Sequence, residues 1–334
     1  MAELISLRRQ LAPTSYAAAV DAYLTAAGVS SNSARVYRVS LATWAWLLAG
    51  EQTPAGRARR GASPPDIGLA LLDDPATAGC AASTFAARAA LADADTVNRE
   101  LSVLRAAINW WQSQGWLGSD PTAGIERRPA PPDRTRALTR ARVEQLWRLD
   151  VGLREKTYWR LLYDAAARAE EILNLDIDDL GLADKRARVT SKGSAVEWIH
   201  WQSGSAQLLP RLLAGRRRGP VFLTDRAAPV RTPSLDTCPV TGRARLSYRR
   251  AAELFDRATR PLADPEHRQH GWTLHQLRHS ALTHEAEDGT NTPLLLARSR
   301  HASVRSLERY TRPGPEAVAR HVASRDPSRR RGNR

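Results

Sequence analysis

The chain has 334 residues, 42% of them hydrophobic, with 50 Lys and Arg against 35 Asp and Glu, a formal net charge of +15. That length suits two domains, each with enough chain for a core. No apolar run approaches the ~18–20 residues of a membrane span, and no apolar core of signal-peptide length follows Met1–Gln10. Membrane and exported classes are set aside, and a cytoplasmic protein working on an anionic polymer is expected. The bland reading of the charge is a bias towards Ala and Arg throughout. The two cysteines, Cys80 and Cys238, are far apart, form no Cys-x-x-Cys, and read as reduced structural thiols. Only three lysines occur, Lys156, Lys185 and Lys192, so the basicity is almost all arginine, whose planar fork matches a phosphate.

Residues 1–14 read as a tail and residues 15–126 as a helical domain. In it Tyr37, Leu41, Trp44 and Leu48 keep a helical rhythm, as do Val97, Leu101, Leu104, Ile108 and Trp111. Asp95 or Thr96 is the expected cap of the second helix. Gly50–Pro65 reads as a loop, and Trp44, Trp46, Trp110 and Trp111 as core rather than stacking platforms. Residues 127–137 form a basic, Pro-rich linker with Pro129, Pro131 and Pro132 among arginines.

Residues 138–313 read as a second domain. Thr139 caps a helix carrying Val143, Leu146 and Trp147, and Tyr158–Ala167 runs helically towards Arg168. Arg186–Thr190 and Ala195–Trp201 read as two strands joined by Ser191-Lys192-Gly193-Ser194, which places Lys192 at a hairpin tip. Further helices are expected over Leu208–Leu213, Leu246–Ala258, Leu274–Glu285 and Thr292–Arg298, with 226–243 irregular. Within 314–334, Pro315–Ala323 can form a short helix and Ser328–Arg334 a disordered basic tail.

The chemistry-bearing residues gather late in the chain. Arg168 is followed three residues on by Glu171, then come Lys192, the run His275-Gln276-Leu277-Arg278-His279, His301, and Tyr310 nine positions after His301. Arginines can clamp phosphate oxygens, histidines and a lysine can move protons, and a tyrosine can attack phosphorus. Each alone has a plainer reading: a solvated arginine, a structural histidine, a turn lysine, a packing tyrosine. His275 and His279 at i, i+4 also resemble a zinc-peptidase pair, but Gln276 cannot be the general base, and no clear third ligand lies in the box, although His284 is near. His279 reads as structural.

These boxes, in this order over roughly 140 residues, resemble the tyrosine recombinase (phage integrase) family. The first is Ala167-Arg168-Ala169-Glu170-Glu171-Ile172-Leu173-Asn174-Leu175, the second His275 to Thr283, and the last Arg300-His301 with Leu307-Glu308-Arg309-Tyr310. Tyr37, Trp44, Trp46, Asn98-Arg99, Leu101, Leu104-Arg105, Gly115 and Asp120-Pro121 resemble the family's helical core-binding domain. The resemblance implies a mainly α fold with a small β-sheet or hairpin, namely a core-binding domain followed by a catalytic domain. It implies a catalytic set of Arg168, Lys192, His275, Arg278, His301 and the nucleophile Tyr310, supported by Glu171. It implies no metal or other cofactor, double-stranded DNA as partner, a homo-tetramer on two DNA sites with Pro315–Ala323 passed to a neighbour, and possible DNA-bending accessory proteins. A type IB topoisomerase and a DNA-binding relative that has lost catalysis are the alternatives.

Two positions depart from the family pattern. Ala165-Ala166-Ala167 stands where Thr-Gly-Leu is usual, which bears on the local turn. Ser299-Arg300-His301 stands for Leu-Gly-His, which bears on the pose of His301 and brings an additional guanidinium that could reach a phosphate.

Overall fold

The computed structural model describes residues 12–129, 137–190, 195–264, 270–301, 303–307, 318–319 and 322–323. Cα packing divides the chain into two compact units, Met1–Asp133 and Arg134–Arg334.

The first unit is helical: α1 (Tyr16–Ala26), α2 (Ser31–Leu48), α3 (Pro75–Leu91) and α4 (Ala94–Ser113). Short polar side chains start the helices by accepting otherwise unpaired amides. The Ser15 and Ser30 hydroxyls accept from Ala18 and Ser33, and the Asp74 carboxylate accepts from Ala76, with Pro75 in the first turn. Helix α4 begins after Asp93, not at Asp95 or Thr96, because the helical geometry already includes both. The expected rhythm is realised: Leu41, Leu101, Leu104 and Ile108 are fully buried around Trp44 and Trp111. Both indoles also tie helices together by hydrogen bonds. The Trp44 Nε1–H donates to the Glu100 carbonyl and the Trp111 Nε1–H to the Ala19 carbonyl, each at 3.0 Å. Trp46 and Trp110 are only partly buried. Gly50–Pro65 contains no helix or strand.

The second unit contains α5 (Arg140–Trp147), α6 (Leu153–Ala165), α7 (Ala169–Leu173), β1 (Leu180–Gly181), β2 (Arg186–Thr190), β3 (Val196–His200), α8 (Ser203–Leu213), β4 (Leu223–Ala227), β5 (Arg243–Arg245), α9 (Tyr248–Thr259), α10 (Leu274–Glu287), α11 (Thr292–Ser299) and α12 (Val304–Leu307). Helix α6 is central, packed on α8 and α10. Its apolar residues Tyr158, Trp159, Leu161 and Leu162 belong to the main core, with Phe222 and Phe255. The buried Asp164 accepts from the Ser205 amide (3.0 Å) and hydroxyl (2.8 Å), which joins the end of α6 to the start of α8.

The two expected strands pair antiparallel, Arg186 with His200 through Thr190 with Val196. Strict alternation buries Ala187, Val189 and Ile199 and exposes Arg186, Arg188, Val196, Trp198 and His200. The short β1 adds a third strand. The segment 226–243 is not merely irregular: a second antiparallel sheet, β4 with β5, flanks it. Most of the linker, the end of the chain after Leu307 apart from four residues, and the segment 191–194 lie outside the described residues. No described helix is long and apolar enough to cross a membrane.

Candidate active site

Arg168 is the N-cap of α7, so the chain turns sharply before it. The turn is made by Ala166, which ends α6 in the left-handed region at φ 47°, ψ 33°. The missing glycine therefore does not abolish the turn; alanine takes the same backbone conformation at some strain. Glu171, one turn into α7, accepts from the Arg168 backbone N–H (2.8 Å) and from its Nη1 (2.6 Å). The carboxylate is 7% exposed, whereas the Arg168 side chain is 43% exposed, so the acid is interior and the guanidinium reaches solvent.

Helix α10 opens with Thr273 and Gln276, whose side chain accepts from the Thr273 N–H at 2.7 Å, a reciprocal cap. His275 follows in the first turn and is exposed. Arg278, three residues on, is only 1% exposed. Its Nη1 donates to the Ala166 carbonyl and its Nη2 to the Ser299 carbonyl, and Nη2 also lies 3.3 Å from His301 Nε2. One guanidinium thus brackets two turns distant in sequence. His279 is buried beside the Thr283 hydroxyl at 3.3 Å, as a structural histidine would be.

The second bracketed turn is Arg300, which ends α11 at φ 52°, ψ 41°, again left-handed where glycine is the easy residue. Its side chain does not reach out for phosphate. It is 4% exposed, with Nη2 on Glu171 Oε2 and Nε 3.5 Å from Glu197 Oε2. The expected additional phosphate contact is therefore corrected: the buried Glu171 and the partly buried Glu197 claim this guanidinium. Sequence reasoning also missed Glu197. Its signal is a charged residue at the inward-facing register of β3, opposite Val189.

The electrostatics follow from this crowd of cations. Partial burial, then the charges of Arg278, Arg168, Arg300 and His275, lowers the His301 imidazole to about 4. Burial pushes the Glu171 carboxyl up, but the charge of Arg300 and the hydrogen bonds and charge of Arg168 outweigh it and leave the group below its ordinary value. At neutral pH the site holds two arginines poised around a neutral His301, with Glu171 ionised. Arg278 can only donate, so His301 Nε2 is the accepting nitrogen and the ring proton is assigned to Nδ1.

Arg168, Arg278 and His301, with Glu171 behind them, are brought together from three segments, and His275 shares the helix of Arg278. Lys192 and Tyr310 lie outside the described residues. Among the described residues no group of three or more His, Cys, Asp or Glu side chains could hold a metal ion.

The family described as phage integrase matches residues 136–316, more than half of the sequence. The chain belongs to the phage integrase family. It is 26% identical over 225 residues to the tyrosine recombinase XerC of Proteus mirabilis, an alignment covering 63% of this chain. The chain spans 65% of that relative's length, just under two thirds. It is 28% identical over 251 residues to the tyrosine recombinase XerD of Xanthomonas axonopodis pv. citri, covering 69% of this chain and 75% of the relative. Its fold resembles that of the Tn1549 transposon integrase, solved in complex with a circular intermediate DNA, with TM-score 0.64 and 15% identity over 94% of this chain and all of that one.

Proposed function

We propose that the protein is a site-specific DNA recombinase that cuts and rejoins strands through a 3′-phosphotyrosyl intermediate. The observation that carries this reading is the convergence of Arg168, Arg278 and His301, 3.3 Å separating the last two, within a chain of the phage integrase family. The half-exposed Arg168 fork and the Arg278 guanidinium supply charge-assisted donors for the nonbridging oxygens of one phosphodiester, where negative charge grows as attacking and leaving oxygens come into line. The Tyr310 oxygen forms a bond to phosphorus and loses its proton, which the His275 imidazole takes up. The bond to the 5′ oxygen breaks, and Lys192 gives that oxygen a proton. A 5′-hydroxyl from the partner duplex reverses the sequence and frees the tyrosine. One phosphoester replaces another, so no ATP enters the balance.

Residues 15–126 supply DNA binding and residues 138–313 the chemistry. The complex is a homo-tetramer on two DNA sites. The surplus of positive charge supports a DNA partner. A type IB topoisomerase shares the chemistry but is not favoured, because the Xer relatives are recombinases.

A nicked suicide duplex drawn from DNA flanking the gene traps the covalent intermediate. The wild-type chain should give an SDS-resistant adduct, and Tyr310→Phe should shift labelled DNA on a gel without one. An adduct of undiminished yield from the phenylalanine variant would remove Tyr310 as nucleophile. Lys192→Ala should cleave slowly and be restored by a 5′-phosphorothiolate leaving group, which needs no acid.

A further inference from the structure

Arg300 is a long cation in a backbone conformation that glycine adopts freely and arginine does not. Such a residue persists where its side chain makes contacts that outweigh the strain. Here the side chain runs inward, 4% exposed, to two carboxylates from different elements. Nη2 binds Glu171 Oε2, the oxygen that also accepts the Arg168 backbone N–H at 2.8 Å. That division leaves Glu171 Oε1 for the Arg168 side chain, a one-point contact that holds the arginine while other donors stay available. The Arg300 Nε faces Glu197 Oε2 on β3, the return limb of the hairpin whose connection contains Lys192. Both atoms are buried, and neither completes a hydrogen bond among the described residues, so each has the other, 3.5 Å away, as an ionic partner. The next residue is His301.

We propose that Arg300 is a positioning residue for strand cleavage: its guanidinium clasps Glu171 and Glu197 together and fixes the register between the Arg168 turn, the β2–β3 sheet and His301. The role rests on the recombinase reading above. Arg300 touches no reacting atom in it; it acts through Arg168 and through β3. Loss of such a clasp shifts reacting groups without removing any of them, and displacements of about 1 Å cost ~10²-fold in rate.

The variant that isolates the role is Arg300→Gly, which places at this φ the residue that the backbone favours, so the turn itself is kept. Glu197→Gln removes the other end of the contact. Single-turnover cleavage of a nicked suicide duplex at saturating DNA, gel-shift affinity, and amide hydrogen exchange without DNA are measured for both variants and their double. Arg300→Gly should cleave about 10–100-fold more slowly with DNA affinity within about 3-fold of wild type. The double variant should cleave no more slowly than Arg300→Gly, since both changes undo one contact. Amides of β2 and β3 should exchange faster in either variant while those of α6 do not. Wild-type cleavage by Arg300→Gly, or losses that multiply in the double variant, would overturn the clasp, and so would unchanged exchange in β2 and β3. A wild-type chain that forms no adduct would defeat the recombinase reading instead, and exchange alone would then decide the contact.

Discussion

Arg278 Nη2 lies 3.3 Å from His301 Nε2, and the partner is a histidine held neutral by its surroundings. The pair joins α10 to the turn after α11, and its charge state sets what the site can do before DNA arrives. Burial lowers the His301 titration most, and the charges that lower it further are Arg278, Arg168 at the start of α7, Arg300 on the same turn and His275 on α10. The His301 ring should titrate near pH 4 in the free protein, followed by NMR of its Cε1 proton. A bound phosphodiester offsets those cations, so the midpoint should rise on binding a non-cleavable duplex. Binding then takes up a proton, and affinity should tighten as pH falls from about 6.5 towards 4. The stability consequence has the opposite sense. The unfolded ring gains its proton near pH ~6.5 and the folded one does not, so this group's contribution is intact above that pH and declines as pH falls towards the folded value. A midpoint near 6.5 in the free protein would show that neither burial nor the cations depress the ring.

The two clamp arginines should separate chemistry from stability. Arg168 is 43% exposed, and its loss leaves Glu171 paired with Arg300. Arg168→Ala should therefore cost at most about 1–2 kcal/mol in urea unfolding but slow adduct formation by roughly 10²–10³-fold. Arg278 is 1% exposed and serves the Ala166 and Ser299 carbonyls. Arg278→Ala leaves a void and two carbonyls short of a donor, and should cost about 3–5 kcal/mol in addition to activity. Equal stability losses for the two would contradict the contrast in burial.

Much of this site was legible because it rests on fixed local spacings. His275 and Arg278 share one helix turn, and Glu171 can only meet Arg168 across one turn of α7. Helices α2 and α4 were legible for the same kind of reason, Leu and Trp recurring on one face. What escaped is long-range. Arg300 read as a phosphate contact because nothing local discloses that Glu171 and Glu197, more than 100 residues upstream, enclose it. The β4–β5 sheet escaped because Leu223–Ala227 is largely polar and its partner is only three residues long, so neither carries an alternating apolar signal. Glycine at the two left-handed turns would have been a local cue; Ala166 and Arg300 hide it.

Ala166 offers a direct test of that hidden turn. It is fully buried in a small cluster with Ala281, Leu282, Leu295 and Leu307. Ala166→Gly relieves left-handed strain of ~1–2 kcal/mol but gives up a buried methyl worth ~0.8 kcal/mol and adds ~0.5–1 kcal/mol of chain entropy. Those terms nearly cancel, and stability should change by less than about 1 kcal/mol. Ala166→Val cannot cancel: a β-branched side chain is poorly tolerated at positive φ, and the added bulk meets a packed cluster. Urea unfolding should show a loss of roughly 2–4 kcal/mol for valine, from strain and overpacking together. A harmless valine would mean that the turn before Arg168 is not left-handed.

Asp164 supports the same turn from behind. Its side chain is wholly inaccessible, accepting from the Ser205 amide and hydroxyl and from Arg160 Nε at 3.1 Å, while its own carbonyl accepts from Arg298. The residue therefore fixes the end of α6, two positions before Ala166, against both α8 and α11. Asp164→Ala strips the acceptor from a buried amide and hydroxyl and should cost about 3–5 kcal/mol, the range for breaking a buried ionic contact. Asp164→Asn keeps the shape and one acceptor oxygen, and should recover at least half of that loss. If the contact serves α6 and not the phosphate clamp directly, the asparagine variant will cleave a suicide duplex near the wild-type rate at temperatures well below its unfolding midpoint. A cleavage defect as deep as that of Arg168→Ala, in an asparagine variant that unfolds normally, would instead place the Asp164 charge within the chemistry.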